Sequence, residues 1–237
     1  MRSDTGHSQR RKTSLSKERV VAAAIDILDS AGESALTFRA LANQLSTGSG
    51  AIYWHVADKD ALLSAATEHV LSGAMTSVVS ASNPADALRA IALGVFDAIE
   101  AHPWVGTQLA REPGHPAMVA IFENSSAQFD ALGVPRGALF HCVSAFAQYL
   151  LGTAAQTAAA ARHKFRASDR STVLNTIVGE WTQRDPTEYP FVHLLADQVR
   201  SHDEREAFLA GLNLIIVGAE ALTATKRSHR TSPAEPR

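Results

Sequence analysis

From Gly137 to Ala161 the chain runs for 25 positions without an Asp, Glu, Lys or Arg. A helix that is apolar on nearly every side has to be covered, so this stretch demands either a bilayer or a protein core. It is long enough to span a bilayer. It also carries His141, Ser144, Gln148, Thr153, Gln156 and Thr157, and its second half is mostly alanine. Polar side chains oppose insertion, so the expectation is a buried helix of a soluble protein. The rest of the composition agrees. There are 42 alanines among 237 residues, against 6% aromatic residues. Alanine is the best helix former, and strands favour β-branched and aromatic side chains, which excludes an all-β fold. With 46% apolar and 19% charged residues the chain is not a disordered one.

Apolar residues recur at helical spacing along nearly the whole length, and no segment alternates with period two. Val20, Val21, Ala24, Ile25, Leu28 and Ala31 share one face, with Gly32 as a stop signal. A second short helix is expected over 37–45. A turn-forming cluster, Ser46-Thr47-Gly48-Ser49-Gly50, separates it from a third over 51–55. Asp58 caps a fourth helix, and Asn83-Pro84 opens a fifth. Pro103, Pro113, Pro116, Gly133 and Pro135 punctuate the middle third of the chain. Further helices are expected over 136–162, 172–182 and 203–224. The fold class is all-α. Its parts are a basic flexible arm (1–14), a three-helix head (15–63), a larger helical domain (64–225) and a flexible tail (226–237).

The head carries the chemistry. Two short helices joined by a turn of serines and glycines form a helix–turn–helix candidate, whose second helix enters a major groove. Tyr53 and His55 alternate with Ile52 and Trp54, and the latter two are expected to pack inward. Leu36-Thr37-Phe38-Arg39-Ala40-Leu41-Ala42 followed by Ala51-Ile52-Tyr53-Trp54-His55-Val56, with Lys59 and Leu62-Leu63, resembles the DNA-binding domain of TetR-family (tetracycline-repressor-like) transcription regulators. The resemblance implies a base contact for Arg39, whose fork suits guanine O6 and N7. It implies base-edge positions for Ser49, Gly50 and Ala51, DNA contacts for Tyr53 and His55, and a phosphate contact for Lys59 at a helix N-terminus. It places Trp54 inside the domain, and Ser46 where the family usually has glycine. Without the resemblance, Arg39 is an ion-pair partner for a carboxylate such as Glu33.

For the larger domain the resemblance implies dimerisation and an inducer pocket. The helices near 136–162 and 203–224 are too apolar for lone surface helices, and two from each subunit would make a four-helix interface. Ala145, Gly152, Gly211 and Gly218 would permit close approach. Effector pockets are apolar with a few polar groups, which points to His102, Trp104, Gln108, Phe129, His141, Phe146, Gln148, Trp181 and Phe191. No nucleophile elbow, phosphate loop or dinucleotide fingerprint is present, so no enzyme activity and no cofactor or metal is expected. The single cysteine, Cys142, excludes an internal disulfide framework and fits a cytoplasmic location.

The expected function is a ligand-released, operator-binding repressor. The alternative is a helical small-molecule-sequestering protein that does not bind DNA. The formal net charge of −2 hides a split. Residues 1–19 hold six Lys or Arg against two acids, so the remainder is acidic. Basic charge next to the head supplies phosphate affinity rather than sequence reading.

Overall fold

The computed structural model describes residues 15–76, 81–112, 114–162 and 167–230. The expected arm over 1–14 lies outside them. Among the described residues all regular structure is helical. The head comprises α1 (Lys17–Ala31), a 3-10 turn (Glu33–Ala35), α2 (Phe38–Gln44), α3 (Ser49–Tyr53) and the start of α4 (Lys59–Thr76). The body adds α5 (Pro84–Ala101), α6 (Pro103–Arg111), α7 (Pro116–Leu132), α8 (Arg136–Arg162), α9 (Ala167–Trp181), α10 (Pro190–Ser201) and α11 (Glu204–Arg230).

Local chemistry sets where these helices begin. Orphan amides in a first turn need acceptors, and short polar side chains supply them. Thr37 accepts from the Ala40 amide at 3.1 Å, Asp58 from Ala61 at 2.7 Å and Asn83 from Asp86 at 2.9 Å. Pro103, Pro116 and Pro190 each stand in a first turn, where a missing N–H costs nothing. Pro103 and Pro116, in the middle third, are therefore helix starters. Helices α6, α7 and α10 had no expected ranges.

In the head, Val20, Ala24, Leu41, Ile52 and Leu62 are buried together. This core is continuous with that of the body, where Leu88 and Ile91 of α5, Phe129 of α7, Phe146 of α8 and Leu212 of α11 meet. The link is α4. It packs on α1 at one end and on α5 and α7 beyond, so the boundary expected after Leu63 falls inside a continuous helix.

Both long apolar helices bury one face against this core. Cys142, Val143, Phe146 and Leu150 do so on α8, and Phe208, Leu212, Ile216 and Ala219 on α11. Their outer faces stay open, with Phe140 69%, Leu214 76% and Val217 57% exposed. Each helix has a stretch long and apolar enough to cross a membrane, yet each is a structural part of a helical core. Three ranges shift from expectation. Helix α3 starts at Ser49 rather than at 51, α9 starts at Ala167 rather than at 172, and α11 runs to Arg230 into the expected tail.

Candidate nucleic-acid interface and effector cavity

The reading head presents a face built on three short elements. Helix α2 ends in a tight turn in which the Thr47 amide donates to the Ala42 carbonyl at 2.9 Å. That closure puts Ser46 in the left-handed region at φ 50, the conformation for which glycine is the usual choice. Beyond it, Ser49 and Gly50 are exposed and Ala51 is half-buried at the front of α3. Tyr53 is 55% exposed and its ring stacks on Phe38, centroids 4.3 Å apart. The stack holds the phenol outward at a fixed angle. His55 is half-buried.

Arg39 is exposed and makes no hydrogen bond or ion pair among the described residues. The ion pair with Glu33 is not formed, because that carboxylate binds Arg111 instead. Lys59 stands at the start of α4 as expected, but its amine donates to the Glu33 carbonyl at 2.7 Å. An ammonium has three donors, so a phosphate contact is compatible with that bond.

Trp54 departs from expectation. It is 90% exposed, not packed inside the head. The alternation of Ile52 and Trp54 was a strand-like pattern. On a helix, two residues differ by about 200°, so a buried Ile52 turns Trp54 outward.

The nine expected effector residues do not converge on one site. Phe129 and Phe146 are fully buried and pack edge to face at 5.9 Å, as core. His141 lies on the exposed face of α8 beside Phe140. Trp181 and Phe191 are exposed on the α9–α10 hairpin, whose buried contacts are Val178 and Ala196. His102, Trp104 and Gln108 instead join α6 to the head. Asp29, near the end of α1, accepts from Trp104 Nε1 at 2.7 Å and faces His102 Nδ1 at 2.8 Å. Glu33 accepts from Gln108 Nε2 at 3.1 Å and from Arg111 at 2.9 Å. Two head carboxylates thus clamp one short body helix. Neither Asp29 nor these pairings carried a sequence signal, since the partners are more than 70 positions apart.

Of the nine, Gln148 alone lines a cavity of about 350 Å³ between α5, α8 and the start of α11. Its wall includes Phe96, Tyr149 and Phe208, which sequence reading did not single out. Phe208 stacks on Phe96 at 4.8 Å and on Tyr149 at 5.4 Å. The Tyr149 hydroxyl donates to the Phe208 carbonyl at 3.0 Å, and burial pushes its pKa up, so it remains protonated. Gly211 makes this approach possible: a β-carbon there would collide with the Tyr149 phenol. A second, mostly apolar cavity of about 300 Å³ lies between α4 and α7.

A head of this geometry on a wholly helical body narrows the field, and comparison with known proteins closes it. Residues 20–66 match the family described as bacterial regulatory proteins, tetR family. Residues 82–223 match the tetracyclin repressor-like C-terminal domain. The chain belongs to the TetR family. It is a DNA-binding transcriptional regulator. A TetR regulator of Streptomyces coelicolor, SCO7222, is 48% identical, with a TM-score of 0.80 over 89% of this chain and 100% of that one. The class G tetracycline repressor of Vibrio anguillarum is 28% identical over 90% of this chain and 97% of its own length. ActR of Streptomyces coelicolor, solved in complex with actinorhodin, shares the fold at 23% identity and a TM-score of 0.71, over 89% of this chain and 99% of that one.

Proposed function

We propose that this TetR-family regulator is a homodimeric repressor that leaves a near-palindromic operator when a small molecule binds its body. The observation that carries the reading is the face formed by Arg39, Ser49, Gly50 and Tyr53. Its groups point to solvent while the opposite side of the same helices is buried. An exposed, unpaired guanidinium beside an oriented phenol is what base-edge and phosphate contacts require. Two such heads would enter successive major grooves on one side of the duplex.

Dimerisation is supported by the open outer faces of α8 and α11. Large apolar side chains there alternate with small ones, and a second copy offers the same surface in a self-complementary arrangement. Release is supported by the clamp of Asp29 and Glu33 on α6, which ties any shift in the body to the angle of the head. Allosteric coupling is typically worth about 1–3 kcal/mol. That is within what a few charge-assisted hydrogen bonds supply.

The experiment is a mobility shift of the purified protein on DNA from its own promoter region. A salt-sensitive, sequence-selective complex with two protomers per site is expected. Absence of any such complex would falsify the reading, and retention of small molecules without DNA binding would favour the sequestering alternative.

A further inference from the structure

We infer that Phe38 is a positioning residue for sequence reading: its ring fixes Tyr53 and, through Tyr53, the rotation of helix α3. The inference rests on the DNA-facing reading of Arg39 and Tyr53 above and adds the side chain that holds the two in register.

Helix α3 is weakly held by its own sequence. It has five residues, Ser49–Tyr53, and no side chain caps its first turn, where Gly48 stands at the N-cap. So short a helix has little stability of its own, and tertiary contacts set its pose. Ile52 is the one fully buried residue of α3. A single anchor within the helix fixes its position better than its rotation. Tyr53 follows about 100° further round the axis. Its ring lies on that of Phe38, with centroids 4.3 Å apart and planes 6° from parallel. This second contact, roughly a quarter turn from the first, resists rotation.

Rotation matters because of what shares the face of Tyr53. Ser49 and Gly50 precede it by four and three positions, which puts all three on one side of the helix. All three are exposed. A change of angle that displaces the phenol therefore displaces the whole reading face.

Phe38 is a firm support. It is the first residue of α2, directly after Thr37, whose hydroxyl accepts from the Ala40 amide at 3.1 Å. It is half-buried and packs against the head core. The next residue is the exposed Arg39. The stack thus joins the guanidinium on α2 and the phenol on α3 into one unit of fixed spacing. Base readout depends on such preset geometry, whereas attraction to phosphate follows charge and carries no sequence information. Removing the Phe38 ring therefore costs discrimination and spares non-specific affinity.

The test is fluorescence anisotropy of the full-length protein, at fixed salt, on a promoter duplex and on a scrambled duplex of equal length. A stacked aromatic pair is worth about three- to tenfold beyond the area it buries. With one stack in each head of a dimer, Phe38→Leu should lower the preference for the promoter duplex about ten- to a hundredfold. Its affinity for the scrambled duplex should stay within about twofold of wild type. Phe38→Tyr keeps a ring and should restore most of the preference. In a Tyr53→Ala background, Phe38→Leu should have no further effect, because the ring it supports is gone. If Phe38→Leu melts early, Phe38→Met, which keeps a long apolar chain, carries the same expectation.

An unchanged preference in the folded Phe38→Leu protein overturns the positioning role, and so does an equal loss of affinity for both duplexes. Phe38→Tyr behaving like Phe38→Leu overturns the stack as the cause. A further loss of preference in the Tyr53→Ala background overturns action through Tyr53. No promoter preference in the wild type defeats the operator-binding reading together with this inference. A wild-type preference that the Phe38 variants share defeats the inference alone.

Discussion

At the scale of single residues, conformation and burial decide more than residue type. Ser46 occupies a left-handed turn at φ 50, a region that costs an L-residue about 1–2 kcal/mol. Glycine removes that strain but adds entropy to the unfolded chain. Ser46→Gly should therefore stabilise the protein by a net of about 0.5–1 kcal/mol, read as a higher midpoint in urea with an unchanged slope. The departure at this position was legible in the sequence, but its strain required the backbone. Trp54 teaches the opposite lesson. A tryptophan in an apolar-looking segment invites a core assignment, yet only the angular position relative to Ile52 decides its side.

Cys142 is 8% exposed, and desolvation raises its thiol pKa. The thiolate is the reactive form, so iodoacetamide at neutral pH should leave the native protein unlabelled and label it after unfolding. Rapid native labelling would contradict the packing of α8.

At the scale of elements, the strong signals were long and periodic. The expected range 136–162 located α8 to the residue, and Asn83-Pro84 located the start of α5. Shorter helices were missed where prolines looked like breakers, as at Pro103 and Pro116, although each opens a helix. Function inside α6 was missed for a related reason. An aromatic and two polar side chains near a loop resemble a pocket lining, whereas His102, Trp104 and Gln108 meet carboxylates far away in the chain.

This clamp makes a prediction of its own. Asp29→Ala combined with Glu33→Ala removes the acceptors on the head side. The double variant should still bind promoter DNA within a fewfold of wild type, while an effector that releases the wild type should no longer release it. The measurement is DNA affinity with and without saturating effector. A response identical to wild type would assign coupling to α4 instead.

At the scale of the whole molecule, helical class, a small reading head and a larger apolar body were all legible, because they rest on periodicity and on one specific motif. The cavity was not. Its wall is assembled from α5, α8 and α11, and nothing in local spacing marks Phe96 and Phe208, more than 100 positions apart, as neighbours. The uneven charge also belongs to this scale. A net charge of −2 with its basic excess near the head limits attachment to arbitrary DNA while leaving the local attraction to phosphate. DNA affinity should consequently fall steeply with salt.

The central claim, that the face around Arg39 and Tyr53 reads DNA sequence, is tested most directly by fluorescence anisotropy at fixed salt. The titration compares a promoter fragment with a scrambled duplex of equal length, for the wild type and for Arg39→Ala combined with Tyr53→Ala. The wild type should prefer the promoter fragment by about a thousandfold or more. The double variant should lose most of that preference while keeping its thermal melt and its dimeric state. Equal affinity of the wild type for both duplexes, or an unchanged preference in the folded double variant, would contradict the account.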